Sequence, residues 1–213
     1  MYTLREWQKI TKDVNNLIVQ ASVIDGSDSW QPFSIGMQYS YMYNYNKGDK
    51  IQIGNHDKTV VCCISTTTDA RRRPTGKNRQ SIITNLLNNN IHNISLNPSD
   101  YFETLPEYKF VISPEGNGID CHRHYEALIA GCIPVIEHNP MTEEKYAGCP
   151  ILYTHDYQEI TEDYLLQKYN EMIDQEYDFS KLFLSYYYYE TQQYIKQCGN
   201  FWTYKFTNDV FYK

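Results

Sequence analysis

Apolar residues recur along this chain in two periods, one helical and one extended, and their alternation predicts an α/β fold. Leu4, Trp7, Ile10, Val14, Leu17 and Ile18 share one face of a 3.6-residue helix, and Thr3 with Glu6 forms a capping-box start, so an N-terminal helix is expected. From Ala21 to Lys58 the period is lost. Gly26, Pro32, Gly36 and Gly48 punctuate a tyrosine-rich stretch that predicts loops and short strands. Regular pattern returns with the extended run Val60 to Ser65, a helix bearing Ile82, Ile83, Leu86 and Leu87, and a second extended run from Ile91 to Leu96.

The stretch Lys109 to Glu137, KFVISPEGNGIDCHRHYEALIAGCIPVIE, reads as strand, glycine loop, helix and strand in unbroken succession. Phe110, Val111 and Ile112 make the first strand, which Pro114, Gly116 and Gly118 interrupt. Asp120 is the expected N-cap of a helix whose buried face carries Cys121, Tyr125, Leu128, Ile129 and Cys132. Gly131 ends that helix, and Ile133 to Ile136 forms the next strand. A further strand is expected at Ile151 to Tyr153. Thr161 caps a helix with Tyr164, Leu165, Tyr169, Met172 and Ile173, and Ser180 to Cys198 continues as helix. Such repetition of strand and helix indicates a Rossmann-like parallel sheet with flanking helices over 59–213, preceded by an N-terminal helix and irregular segment over 1–58.

Ligands of parallel sheets sit beyond the carboxyl ends of the strands. Two loops leave strands at that edge, 65–79 and 113–120, and both carry phosphate chemistry. The second leads into a helix N-terminus, where unpaired amides and the dipole favour an anion, and Arg123 in the first turn can fork onto phosphate oxygens. Glu126, at i+3, can orient Arg123 or accept from a ribose diol. The first loop holds Arg71, Arg72, Arg73, Lys77 and Arg79, of which Arg73 and Arg79 are the expected donor-phosphate contacts. Asp25 and Asp28 form a turn with the spacing of a divalent-metal pair. Cys121, His122 and His124 do not converge on a helix as metal ligands would, and His122 reads as a residue at the site's edge. The tyrosines from Tyr186 to Tyr189 read as packing.

Charge and composition narrow the classes. A formal charge of -7 argues against a nucleic-acid binder. No stretch reaches the roughly 20 apolar residues of a membrane span, and the opening MYTLREWQKI lacks a secretory pattern. The six cysteines fall in or beside apolar segments without C-x-x-C spacing and read as reduced core residues, so a cytoplasmic location is expected. High Asn, Ile, Lys and Tyr usage is that of an AT-rich genome such as a large virus or protist carries, in which case the compartment is the host cytoplasm.

The wording of the glycine segment resembles the exostosin-like glycosyltransferases. Ser113, Pro114, Glu115, Gly116, Asn117, Gly118, Ile119, Asp120, Arg123, Glu126, Ala127, Leu128, Gly131, Ile133, Pro134 and Val135 follow that family's run, with His124 and Tyr125 where relatives often have Thr-Trp. The resemblance implies the nucleotide-sugar-binding, C-terminal half of a GT-B enzyme. Ser113, Pro114, Gly116, Asn117, Gly118 and Asp120 would line the donor, Arg123 would bind its diphosphate, and Glu126 its ribose or sugar. It further implies transfer from a UDP- or GDP-sugar to a hydroxyl on a glycan or protein, with no metal and no cofactor beyond the donor itself. A general base would come from Glu115, Asp25, Asp28 or His56, with Glu115, Arg123 and Glu126 as the catalytic set. At 213 residues the chain is short for two Rossmann-like halves of about 150 residues each, so either the acceptor-facing region is reduced to the segment over 1–58, or a partner domain or second copy supplies the acceptor site. The alternatives are a noncatalytic nucleotide-sugar-binding module and a metal-dependent GT-A enzyme using Asp25 and Asp28.

Overall fold

Four of the apolar runs become adjacent parallel strands. In a computed structural model, residues 18–20, 30–32, 35–36, 56–70 and 73–208 are described. A short parallel pair, β1 (Ile18–Gln20) and β2 (Trp30–Pro32), stands apart from the main sheet. The main sheet comprises β3 (Lys58–Cys62), β4 (Tyr108–Ile112), β5 (Ile133–Glu137) and β6 (Leu152–Thr154), in that order and all parallel. The expected N-terminal helix from Thr3 lies outside the described residues, as does most of the segment over 1–58.

Register explains why near-continuous apolar runs are needed. Cys62 pairs with Ile112, Ile112 with Val135 and Val135 with Leu152, so one row of side chains crosses the whole sheet on one face. Val61, Val111 and Ile136 point to the other face. Both faces are covered, as an all-parallel sheet requires.

The helices divide between those faces. When strands follow in chain order, crossovers of one hand place the intervening helices on the same side. Accordingly α2 (Pro98–Thr104), α3 (His122–Ile129) and α4 (Pro140–Lys145) bring Tyr101, Phe102, Leu128 and the neighbouring Tyr146 to the Val61 face. The opposite face is closed by α1 (Arg79–Asn88), which precedes α2 in the same crossover but packs on the other side, and by α5 (Glu162–Met172), through Ile82, Leu86, Leu165 and Tyr169. The last helix, α6, spans Tyr189–Thr207.

Side chains set the helix starts. Asn78 forms a capping box with Ser81, Asn97 accepts from the Asp100 amide, Asn139 from Met141, and Thr161, as expected, from Tyr164. Three expectations are corrected. Ile91 to Leu96 is not a strand: a single bridge joins Asn93 to Cys62, because the Asn93 amide itself brackets the backbone N–H and C=O of Ile64. Ser180 to Cys198 is not one helix. Extended Tyr187 and Tyr188 separate two short 3-10 turns from α6, and the Tyr187 hydroxyl turns back to the Lys181 carbonyl at 2.9 Å. Asp120 is not the N-cap of α3; Cys121 occupies that place and makes no side-chain cap. The end of α3 is as expected, with Gly131 at φ 81°, a left-handed position that suits glycine.

Leu128 is fully enclosed between α3 and the sheet. Leu128→Ala should lower unfolding free energy by about 2–5 kcal/mol, read as a reduced urea midpoint with little change in slope.

Candidate functional site

The glycine loop is held from below by arginines. Ser113 continues the pairing of β4, donating its amide to the Val135 carbonyl at 2.9 Å, after which the chain rises off the sheet. Arg79, only 3% exposed, donates to the carbonyls of Glu115 at 2.9 Å, Pro114 at 3.0 Å and Ser65 at 3.3 Å. A Cβ on Gly116 would sit 3.1 Å from its Nη2, so the glycine lets the loop settle onto the guanidinium. Arg73 donates to Asp69, to Glu137 at 2.8 Å and to the Glu115 carbonyl at 3.2 Å. The Glu115 amide donates to the other Glu137 oxygen, and the Tyr157 hydroxyl reaches the same oxygen at 3.3 Å.

The two loops at the carboxyl edge therefore meet directly. Their arginines, expected at the donor phosphates, have their N–H groups directed at protein oxygens. Arg79 still contributes positive field: burial and the neighbouring Arg123 both lower its pKa. Arg71 and Arg72 lie outside the described residues, and the Lys77 ammonium donates to the His155 carbonyl.

Asp120 anchors the far end of the loop. Its buried carboxylate accepts from the Tyr146 hydroxyl at 2.7 Å and the Ile35 amide at 3.0 Å, and lies 3.4 Å from the Lys145 ammonium. This explains why it does not cap α3. Between the anchors, Gly116 and Gly118 close a turn through a 3.0 Å backbone bond, and Asn117 stands exposed at the tip.

Arg123, in the first turn of α3, differs from its neighbours. Its guanidinium lies 5.7 Å from the ring centroid of Tyr101 on α2, and its enclosed Nε has no hydrogen-bond partner. Burial opposes its charge, but Tyr101, Cys121, Glu126 and Cys63 outweigh that, and its pKa is raised. Glu126 is buried one turn on, close enough to favour that charge. Glu115 carries its carboxylate into the Arg73 cluster, 3.6 Å from the guanidinium.

His124 and Cys121 form a polar pair beneath the loop. The His124 Nδ1 lies 2.7 Å from the Ser113 hydroxyl and 3.5 Å from the Cys121 sulfur. Burial opposes ionisation of the thiol, but His124, Arg123 and Arg79 draw it down to about 6. His122 turns outward to the Gly36 carbonyl at 2.8 Å. His56 lies at the opposite, amino edge of the sheet, against the carbonyls of Pro106 and Gly131. Asp25 and Asp28 are outside the described residues, among which no group of three or more His, Cys, Asp or Glu side chains could hold a metal ion. Among the same residues no helix is long and apolar enough to cross a membrane.

Three residues of this edge escape the sequence reading. Glu137 was legible as the acidic end of an apolar strand. Tyr101 was legible through Asn97-Pro98-Ser99-Asp100, an N-cap, N1-proline and acidic first turn announcing a helix. Tyr157 carries no comparable signal.

A parallel four-stranded sheet with helices on both faces defines a Rossmann-like α/β domain, and its latched glycine loop and the arginine with an unpartnered Nε at a helix start make the carboxyl edge the candidate site. Residues 73–198 match the family described as the RXYLT1 C-terminal domain, and the chain belongs to that family, which is glycosyltransferase-related. No curated protein matches the chain.

Two outcomes follow from this geometry. Arg79→Met should cost about 2–4 kcal/mol, because three loop carbonyls lose a charged donor, measured by chemical denaturation. The thiolate absorbance of Cys121 should rise as pH increases through about 6, below the ordinary thiol value of 9.0, and should vanish in Cys121→Ser. A depressed pKa stabilises the fold at high pH, so this contribution should fade as pH falls through 6.

Proposed function

We propose that the protein is a glycosyltransferase that binds a nucleotide-diphosphate sugar over the amino end of α3 and transfers the sugar to a hydroxyl of a glycan or protein acceptor. The observation that carries this is Arg123: a desolvated cation with an unpartnered Nε, beside a glycine loop and the uncapped start of a helix. Surface arginines satisfy their N–H groups with water or carboxylates; an enclosed one with an orphaned donor is suited to an anion brought by a ligand. Family membership supports the same class of chemistry.

The transfer breaks the bond between the anomeric carbon and the diphosphate oxygen and forms one to the acceptor oxygen. Negative charge grows on the departing diphosphate, where the guanidinium and the α3 amides stabilise it without requiring a divalent cation. Glu126 faces the ribose or the donor sugar. The acceptor proton passes to a base for which Glu115, Asp25 and Asp28 are candidates; His56 stands at the wrong edge of the sheet. The acceptor-facing surface would come from a partner domain or a second copy. Binding without turnover would favour a noncatalytic nucleotide-sugar-binding module.

The test pairs calorimetry with donor consumption. UDP or GDP and their sugars should bind the parent protein, Arg123→Ala should weaken that binding about ten-fold or more, and chelator should leave it unchanged. An Arg123→Ala protein that is folded and binds as well as the parent would remove the assignment.

A further inference from the structure

Arg123 is not the one orphaned donor at this place. Tyr101, on α2, is 7% exposed, and its hydroxyl likewise has no hydrogen-bond partner. Its ring lies beneath the Arg123 guanidinium, 5.7 Å from centroid to Cζ, yet the two do not hydrogen-bond each other. The third unpartnered buried side-chain atom among the described residues, the Tyr169 hydroxyl, belongs to the opposite face of the sheet. Two helices that reach the same face by separate crossovers thus bring two unsatisfied polar groups together.

Buried polar groups are almost always paired, because leaving one unmade forfeits its hydration without return. A fold that needed only an apolar filler between α2 and α3 would be served by phenylalanine. A tyrosine whose hydroxyl is enclosed, beside a cation with the same deficit, makes sense when a ligand with several acceptor oxygens completes both. Phosphate is such a ligand: it accepts from a neutral hydroxyl and a guanidinium at once. Burial pushes the Tyr101 pKa far up, so the hydroxyl keeps its proton and donates.

We propose that Tyr101 is a second phosphate-binding residue, its hydroxyl donating to an oxygen of the phosphate group that Arg123 engages while its ring supports the guanidinium from below. This rests on the donor site proposed above and extends it to an element outside the glycine segment. The same two contacts would select diphosphates over nucleosides.

Tyr101→Phe isolates the hydroxyl, since the ring and its support of Arg123 remain. Calorimetry with UDP, GDP, the corresponding nucleosides and inorganic pyrophosphate is run on the parent, Tyr101→Phe and Arg123→Ala proteins, with ligand-free melting temperatures alongside. Expected for Tyr101→Phe are a melting temperature equal to or above the parent's, diphosphate and pyrophosphate affinity lower by about ten-fold, and nucleoside affinity unchanged. A lower ligand-free melting temperature would mean that the hydroxyl has a structural partner, and the proposal falls. Unchanged diphosphate affinity in Tyr101→Phe with a loss in Arg123→Ala overturns the role of Tyr101 and leaves the donor site standing. Equal weakening of nucleoside and diphosphate overturns the phosphate assignment. A parent protein that binds neither diphosphate nor pyrophosphate removes the donor site and this inference with it.

Discussion

A guanidinium taken out of water must find oxygens, and much of this molecule is arranged around meeting that need for Arg79. The residue begins α1, yet its donors cross to the loop after β4, where the Pro114 and Glu115 carbonyls receive them, and a third bond goes to the Ser65 carbonyl in the loop after β3. Asp69 holds the Arg79 amide at 2.8 Å and the Arg73 side chain at the same time. The glycine loop is therefore fastened to a neighbouring loop by a charge that cannot be relaxed away, since arginine stays protonated under any ordinary condition. Removing a single partner from such a network leaves a buried charge or several carbonyls uncompensated.

The same latch separates two kinds of arginine. Arg73 and Arg79 lie on the protein side of the loop and direct their donors to its carbonyls and to Asp69, Glu137 and Ser65. Arg123 lies beyond, on the helix that the loop introduces, and is left with an open donor. Because Arg123 is close enough to oppose the charge of Arg79, the phosphate proposed at Arg123 would also relieve that repulsion. The latched loop, the positive field and the open Arg123 donor are what the proposed donor site rests on, since groups fixed in advance around a growing negative charge stabilise it most.

The sheet and its flanking helices were legible because the apolar runs at Phe110–Ile112 and Ile133–Ile136 are too short and too continuous for anything but buried strands. The helix from His122 was legible for its periodicity. Asp120 was misread because a carboxylate ahead of a helix has the sequence signature of a cap whether or not it turns away, and here Lys145, Tyr146 and Ile35 compete for it from elsewhere in the chain. Arg73 and Arg79 were recognised as belonging to the site's edge, but a run of arginines does not disclose which oxygens they meet. Ile91 to Leu96 has the composition of a strand, and that the Asn93 side chain takes up the backbone of Ile64 in place of a ladder is not visible in the sequence. Tyr101 bears no sequence mark of a binding residue, because a hydroxyl that matters by lacking a partner is defined only by the packing around it.

Strands β3 to β6 lie in chain order, each beside the one before it. Every pairing can therefore form as soon as its own crossover has been made, and none must wait for a distant part of the chain. Each closure spans only the crossover between neighbouring strands, and its entropy cost grows slowly with length. Arg79 precedes β4 in the chain, while the carbonyls of Pro114 and Glu115 that it meets follow β4, so latch and loop are completed together. One crossover, from β3 to β4, therefore supplies both Arg79 and the Tyr101 that lies against Arg123, and ties two helices on opposite faces of the sheet to the same loop edge.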